Sequence, residues 1–143
     1  MLGKLDTAPT ITILGTGYVG LTTAALFAAA GMKTYVVDPN PKRLESVRNG
    51  KSFFYEEGLD SVIADGVTKG LLIPTPSYEQ SVPVSDIVVS SVGTPDNPDG
   101  SSKLSYIFAA AAEATRYLKP PSRVCAEKYR ASWYGRKGQA VVR

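Results

Sequence analysis

The sequence predicts an α/β domain, a mostly parallel sheet with helices on both faces. Three observations carry that prediction. Short β-branched runs alternate with longer alanine- and leucine-rich runs. Glycines stand where such runs end, at Gly15, Gly31 and Gly50. Gly15, Asp38 and Thr94 follow expected strands, and sheets of this kind bind ligands outside the carboxyl ends of their strands.

Thr10 to Leu14 is short, β-branched and bounded by Pro9 and Gly15, as a buried strand would be. Tyr18 to Ala30 is a proline-free helical run, with Gly31 as its left-handed terminator. Lys33 to Val37 reads as the next strand and delivers Asp38 at its end. Pro41 to Asn49 suits a helix, capped by Asn40, with Pro41 in its first turn and Gly50 beyond its end. Leu59 to Ala64 is expected as a short helix. Gly70 to Ile73 is expected as a short strand stopped by Pro74 and Pro76. Ser85 to Ser91 is a strand, Gly93 to Gly100 a loop, and Leu104 to Leu118 a helix.

Gly15-Thr16-Gly17-Tyr18-Val19-Gly20 matches the G-x-G-x-x-G dinucleotide fingerprint after a strand and at a helix start, the Rossmann context. Gly15 permits the tight turn, Gly17 removes a side chain from the path of a pyrophosphate, and Gly20 lets helix and sheet close together. The amides at the start of the helix, Tyr18 and Val19 among them, then face the anion. Asp38 lies about 20 residues beyond the fingerprint, where a carboxylate accepts ribose hydroxyls and repels a 2′-phosphate. Arg43 bears on the same choice, because a guanidinium there can pair with that phosphate or remain a solvated surface charge. The balance favours NAD over NADP.

A chain of 143 residues has the size of about one domain. It contains no histidine and one cysteine, Cys125, which excludes an internal disulfide and leaves no metal-ligand set. Ser90, Ser91 and Thr94 have no histidine to activate a hydroxyl, so no catalytic residue is assigned. No apolar run is long enough to span a membrane, and the first ten residues lack the apolar core of a secretory signal. The expected location is the cytoplasm. Residues 1 to 120 carry 10 basic and 12 acidic side chains, whereas residues 121 to 143 carry 6 basic and 1 acidic. The net +3 therefore belongs to the tail, where Tyr129, Trp133 and Tyr134 interleave with Arg130, Arg136 and Lys137. Nucleic acid is not an expected partner, because the tail coincides with a loss of pattern rather than with a built patch.

Ile11 to Leu21 (ITILGTGYVGL) resembles the opening of the UDP-glucose/GDP-mannose dehydrogenase family. Asp38, Asn40 and Arg43 resemble its D-x-N-x-x-R pattern. Asn49-Gly50 and Phe54 to Leu59 resemble its N-G and F-x-E-P-G-L elements, with Glu57 at the proline position. Val92 to Pro95 resembles its V-G-T-P loop, and Asp99 to Tyr106 its D-G-x-x-D-L-S-Y continuation, with Lys103 in place of aspartate. The resemblance implies oxidation of a nucleotide sugar to its uronate with NAD, feeding polysaccharide biosynthesis. It also implies that Thr94 lies near the nicotinamide, and that Glu56 to Gly58 forms a loop and helix start near the domain face.

The resemblance covers about residues 10 to 120. Beyond Pro120 the family's strand, its K-S-T-V-P element, and its sugar-nucleotide domain with a catalytic cysteine, lysine and asparagine are not matched. Cys125 stands in a different motif. The expected division is a cofactor domain, residues 1 to 120, and a divergent basic tail, residues 121 to 143, of the kind a frame change or truncation leaves. The sheet is then expected to be incomplete, with an exposed strand edge that invites self-association. The expected function is the NAD-binding portion of a nucleotide-sugar 6-dehydrogenase, inactive as this chain alone, with the nucleotide sugar bound only by the full-length family enzyme. A non-catalytic nucleotide-binding or regulatory module remains the alternative. The 3-hydroxyacyl-CoA and 6-phosphogluconate dehydrogenases share the opening logic but not the Phe54 and Gly93 elements.

Overall fold

The computed structural model describes residues 7–120 and 122–126. Its elements are β1 (Ile11–Leu14), α1 (Tyr18–Ala29), β2 (Thr34–Val37), α2 (Pro41–Arg48), α3 (Leu59–Thr68), β3 (Leu72–Thr75), α4 (Tyr78–Ser81), β4 (Ile87–Ser90), α5 (Ser105–Thr115) and β5 (Arg123–Ala126). The strands form one sheet in the order β3-β2-β1-β4-β5, with every neighbouring pair parallel.

Side-chain alternation along the central strands builds two cores. Ile11, Ile13 and Val36 point to one face, where Leu21, Ala24, Ala25 and Ala28 of α1 and Leu59 and Ile63 of α3 cover them. Leu14, Val37 and Val88 point to the other, beneath Val82 and the alanines Ala110 and Ala114 of α5. The sheet is thus doubly covered, which is why its strands are apolar on both faces. The chain winds outward from β1 to β3 and returns to lay β4 against the other side of β1. A crevice opens at that reversal, outside the carboxyl ends of β1 and β4.

Local chemistry accounts for most boundaries. Asn40 accepts from the amides of Lys42 and Arg43 and so caps α2, with Pro41 in the first turn. Three expectations need correction. Pro74 does not stop β3 but lies inside it, because β3 is an edge strand where a missing N–H can face away from the sheet. Helix α3 runs past Ala64 to Thr68 with Gly66 inside it, where a Cβ would lie 3.1 Å from the Leu72 Cβ. The short helix α4 and the 3-10 turn Val82–Val84 were not expected at all.

The fourth correction concerns the region after Pro120. The sheet does not lose its strand there. Arg123–Ala126 pairs with Ile87–Ser90 in register, and Val124 packs against the core beneath α5. Strand pairing uses backbone groups, so a segment with an unfamiliar motif still completes the ladder. The edge is consequently β5, not β4. The rest of the basic tail, residues 127–143, lies outside the described residues.

Candidate functional site

The fingerprint turn is built by three glycines with three different constraints. Gly15 has φ +98°, and a Cβ on it would lie 2.8 Å from the Ser91 carbonyl oxygen. Hydrogen bonds from Gly15 N to Val37 O, 2.7 Å, and from Ser91 N to Leu14 O, 2.8 Å, hold this turn between β2 and β4. A Cβ on Gly20 would collide with the Gly15 carbonyl oxygen, so α1 approaches the turn only because Gly20 has no side chain. Gly17 is different: its φ is −63° and a Cβ there would meet nothing within 4 Å. No intramolecular constraint requires glycine at position 17. The space beside it is what glycine preserves.

Helix α1 begins at Tyr18, and its first backbone bond runs from Leu21 N to Gly17 O. The amides of Tyr18, Val19 and Gly20 precede that bond and open toward the turn with the positive end of the helix dipole.

Asp38 is 4% exposed at the end of β2. Its Oδ2 accepts from Thr16 N at 3.0 Å and Thr16 Oγ1 at 2.5 Å, and its Oδ1 accepts from Asn40 N at 2.8 Å. Arg43 Nη1 stands 3.7 Å from Oδ2. The guanidinium is held elsewhere as well, 4.6 Å over the ring of Phe53. Phe53 meets Phe54 edge-on at 5.1 Å, and Phe54 stacks on Tyr18 at 3.9 Å. Phe53 and Phe54 form an aromatic pair ahead of the exposed Glu56–Gly58 loop, which leads into α3 as expected. The pair brackets the starts of α1 and α2 at the rim of the site.

These residues surround a cavity of about 530 Å³, within the range of small-molecule sites. Gly15, Gly17, Tyr18, Val19, Asp38 and Arg43 line it on one side. Tyr106, Ala109 and Ala110 of α5 form the opposite wall, where the alanines leave room. Gly20 lies beneath the turn and not on the wall. Thr94 is half-buried in the loop after β4 and falls just outside the lining, whereas its neighbour Gly93 is part of it.

Sequence reasoning missed Tyr78 and the role of Thr16. Tyr78 lines the cavity from the start of α4, and burial, then the Glu113 and Asp38 carboxylates, raises its phenol pKa. It therefore stays a neutral hydroxyl. No periodicity or motif marks Tyr78, because α4 spans only Tyr78–Ser81. Thr16 occupies a variable fingerprint position, and only the spatial approach of β2 gives its hydroxyl a partner. Ser90 and Ser91 keep buried hydroxyls without a hydrogen-bond partner among the described residues. Among those residues no group of three or more His, Cys, Asp or Glu side chains is placed to hold a metal, and no helix is long and apolar enough to cross a membrane.

Residues 9–128 match the model of the UDP-glucose/GDP-mannose dehydrogenase family, NAD binding domain. The chain is 37% identical over 110 residues to a UDP-glucose 6-dehydrogenase of Rhizobium meliloti, covering 76% of this chain and 25% of that protein. Among solved structures, it superposes with a TM-score of 0.78 on a GDP-mannose dehydrogenase from Pseudomonas aeruginosa, at 29% identity, covering 81% of this chain and 27% of the other. A UDP-glucose dehydrogenase from Pyrobaculum islandicum gives 0.74 at 34% identity, with 81% and 27% covered. The chain thus spans about a quarter of the length of these relatives. The match runs past Pro120 through β5, so the family pattern continues beyond the point where the motifs ceased to be legible. The glycine turn, the acidic residue at the end of β2 and the sheet order all agree with this assignment: the chain belongs to the UDP-glucose/GDP-mannose dehydrogenase family and carries its NAD binding domain.

Proposed function

We propose that this chain binds NAD in the cavity at the carboxyl end of the sheet and serves as the cofactor-binding part of a nucleotide-sugar 6-dehydrogenase. The observation that carries the proposal is the open space at Gly17 beside the unpaired amides of Tyr18, Val19 and Gly20. A pyrophosphate fits there and takes hydrogen bonds from the helix start. Asp38 then accepts from the adenosine ribose through Oδ1, which has one hydrogen bond and room for another. Arg43 and Tyr18 flank the site, Gly15 and Gly20 keep the turn tight, and Thr94 sits on the lip beyond Gly93 toward the nicotinamide end.

When bound, NAD supplies a hydride acceptor. The work of this chain is to hold the dinucleotide in one orientation, so that the substrate carbon meets the ring at a fixed distance. The substrate class is a nucleotide sugar such as UDP-glucose, GDP-mannose or UDP-N-acetylmannosamine, oxidised at its primary hydroxyl. The setting that goes with this reading is the cytoplasm, and the product class serves polysaccharide biosynthesis. Residues 1 to 126 form the cofactor unit in this reading, with the fifth strand included.

Calorimetric titration of the chain with NAD and NADP tests the proposal. NAD is expected to bind more tightly, because the buried Asp38 carboxylate opposes a 2′-phosphate. Tighter binding of NADP would show that Arg43, not Asp38, sets the choice. Binding of neither would refute the proposed function.

A further inference from the structure

The fingerprint residue between the first two glycines has a role that the glycine pattern does not specify. Thr16 is fully buried, and both of its donors, N–H and Oγ1–H, go to the same oxygen of Asp38. The other oxygen takes a single hydrogen bond, from Asn40 N. We propose that Thr16 is a positioning residue for ribose recognition: it ties up Oδ2 of Asp38 and turns Oδ1 toward the ligand as the one acceptor for an adenosine ribose hydroxyl. The inference rests on the NAD reading above.

The argument is one of counting and of geometry. A carboxylate offers about four acceptor positions. Two on Oδ2 are filled by Thr16, with the Arg43 guanidinium 3.7 Å away on the same atom, and one on Oδ1 is filled by Asn40. A single well-directed acceptor remains. With Thr16 N–H alone, the carboxylate keeps one donor on each oxygen, and Oδ2 retains a second acceptor position that competes with Oδ1 for the ligand. The hydroxyl fills that position with a second, charge-assisted bond and leaves Oδ1 as the acceptor for the ligand. Thr16 borders the cavity, but both of its donors are spent on Asp38, so it acts through that residue.

Thr16→Ser and Thr16→Ala both lose the methyl group, and only serine keeps the hydroxyl. The difference between them reads the hydroxyl apart from the packing loss, and Thr16→Val stands in for alanine should that variant not fold. Each chain is titrated with NAD and with an NAD analogue whose adenosine ribose carries no hydroxyls. The serine variant is expected to bind NAD like the unmodified chain. The alanine or valine variant is expected to bind NAD about tenfold more weakly, as loss of one oriented hydrogen bond to a charged group implies. The analogue, which has nothing for Oδ1 to accept, is expected to bind all variants alike. Equal weakening of both ligands, or unchanged NAD binding without the hydroxyl, overturns the role of Thr16 while leaving the NAD site standing. If the unmodified chain binds NAD and the analogue equally, Asp38 contacts no ribose hydroxyl and the inference falls. If it binds neither, the proposed function falls with it.

Discussion

At the scale of single residues, three glycines of one motif are glycine for separate reasons, and substitutions separate them. Gly17→Ala places a methyl group in open space with an unstrained φ, so its melting temperature is expected to match the parent chain. Its NAD affinity is expected to fall roughly tenfold or more, because the methyl occupies the ligand's approach. Gly20→Ala meets the Gly15 carbonyl oxygen and is expected to cost about 3 kcal/mol of folding stability. A thermal melt and a titration on each variant check both. A destabilised Gly17→Ala with normal NAD binding would mean that the space at Gly17 serves the fold and not the ligand. Asp38→Ala removes the acceptor of both Thr16 donors and of Asn40 N–H. It is expected to lower stability by about 2 kcal/mol, since buried donors lose their partner, and to narrow the preference for NAD over NADP. Calorimetry with both dinucleotides is the measurement.

At the scale of elements, the segment between α2 and α3 is held by a polar clip and an aromatic bracket. Asp60, in the first turn of α3, accepts from Ser52 N at 2.8 Å and Ser52 Oγ at 3.0 Å, and pairs with Lys51 Nζ at 3.2 Å. These contacts, the Ser52 amide foremost, lower the Asp60 pKa from the ordinary carboxylate value. A depressed folded-state pKa means that the unfolded chain binds the proton more readily. The clip's contribution is therefore present above the unfolded value, about 4, and is lost as pH falls through the lower folded value. The protection of the Ser52 amide against hydrogen exchange, relative to its intrinsic rate, is expected to fall across that acid window and to be lost at all pH in Asp60→Ala. Unchanged protection in that variant would show that the aromatic bracket alone holds the segment. The Phe54–Tyr18 stack and the Arg43–Phe53 contact complete the bracket, so loosening it reaches the rim of the cavity.

At the scale of the whole molecule, the doubly covered parallel sheet brings Gly15 of the first crossover, Asp38 of the second strand and Tyr106 of α5 around one crevice. Such a site orients a cofactor. The sequence has no histidine, and its one cysteine, Cys125, lies in β5. The chain is expected to bind NAD yet give no NADH or uronate from UDP-glucose, GDP-mannose or UDP-N-acetylmannosamine supplied singly. Turnover that survives Cys125→Ser would show that oxidation here needs no thiol, and turnover abolished by that change would assign the thiol to Cys125.

The sequence by itself determined the first crossover, because its rules are local. A strand, a turn that only glycine fits, an alanine-rich helix and a capped α2 each follow from neighbouring residues. The family was legible too, since Gly15 to Gly20, Asp38 with Asn40, and Gly93 to Pro95 are each a short local pattern. Tertiary structure decided what depends on distant partners. Pro74 is tolerated because β3 lies at an edge, and Arg123–Ala126 becomes a strand because β4 offers an unpaired backbone. Thr16 acquires a role because Asp38, 22 residues away, comes within hydrogen-bond reach of its hydroxyl. Tyr78 and Ala110 face one cavity only because their helices pack at the same end of the sheet. Such pairings are set by which strands lie side by side, and strand order is a property of the packed sheet that no short window of residues contains.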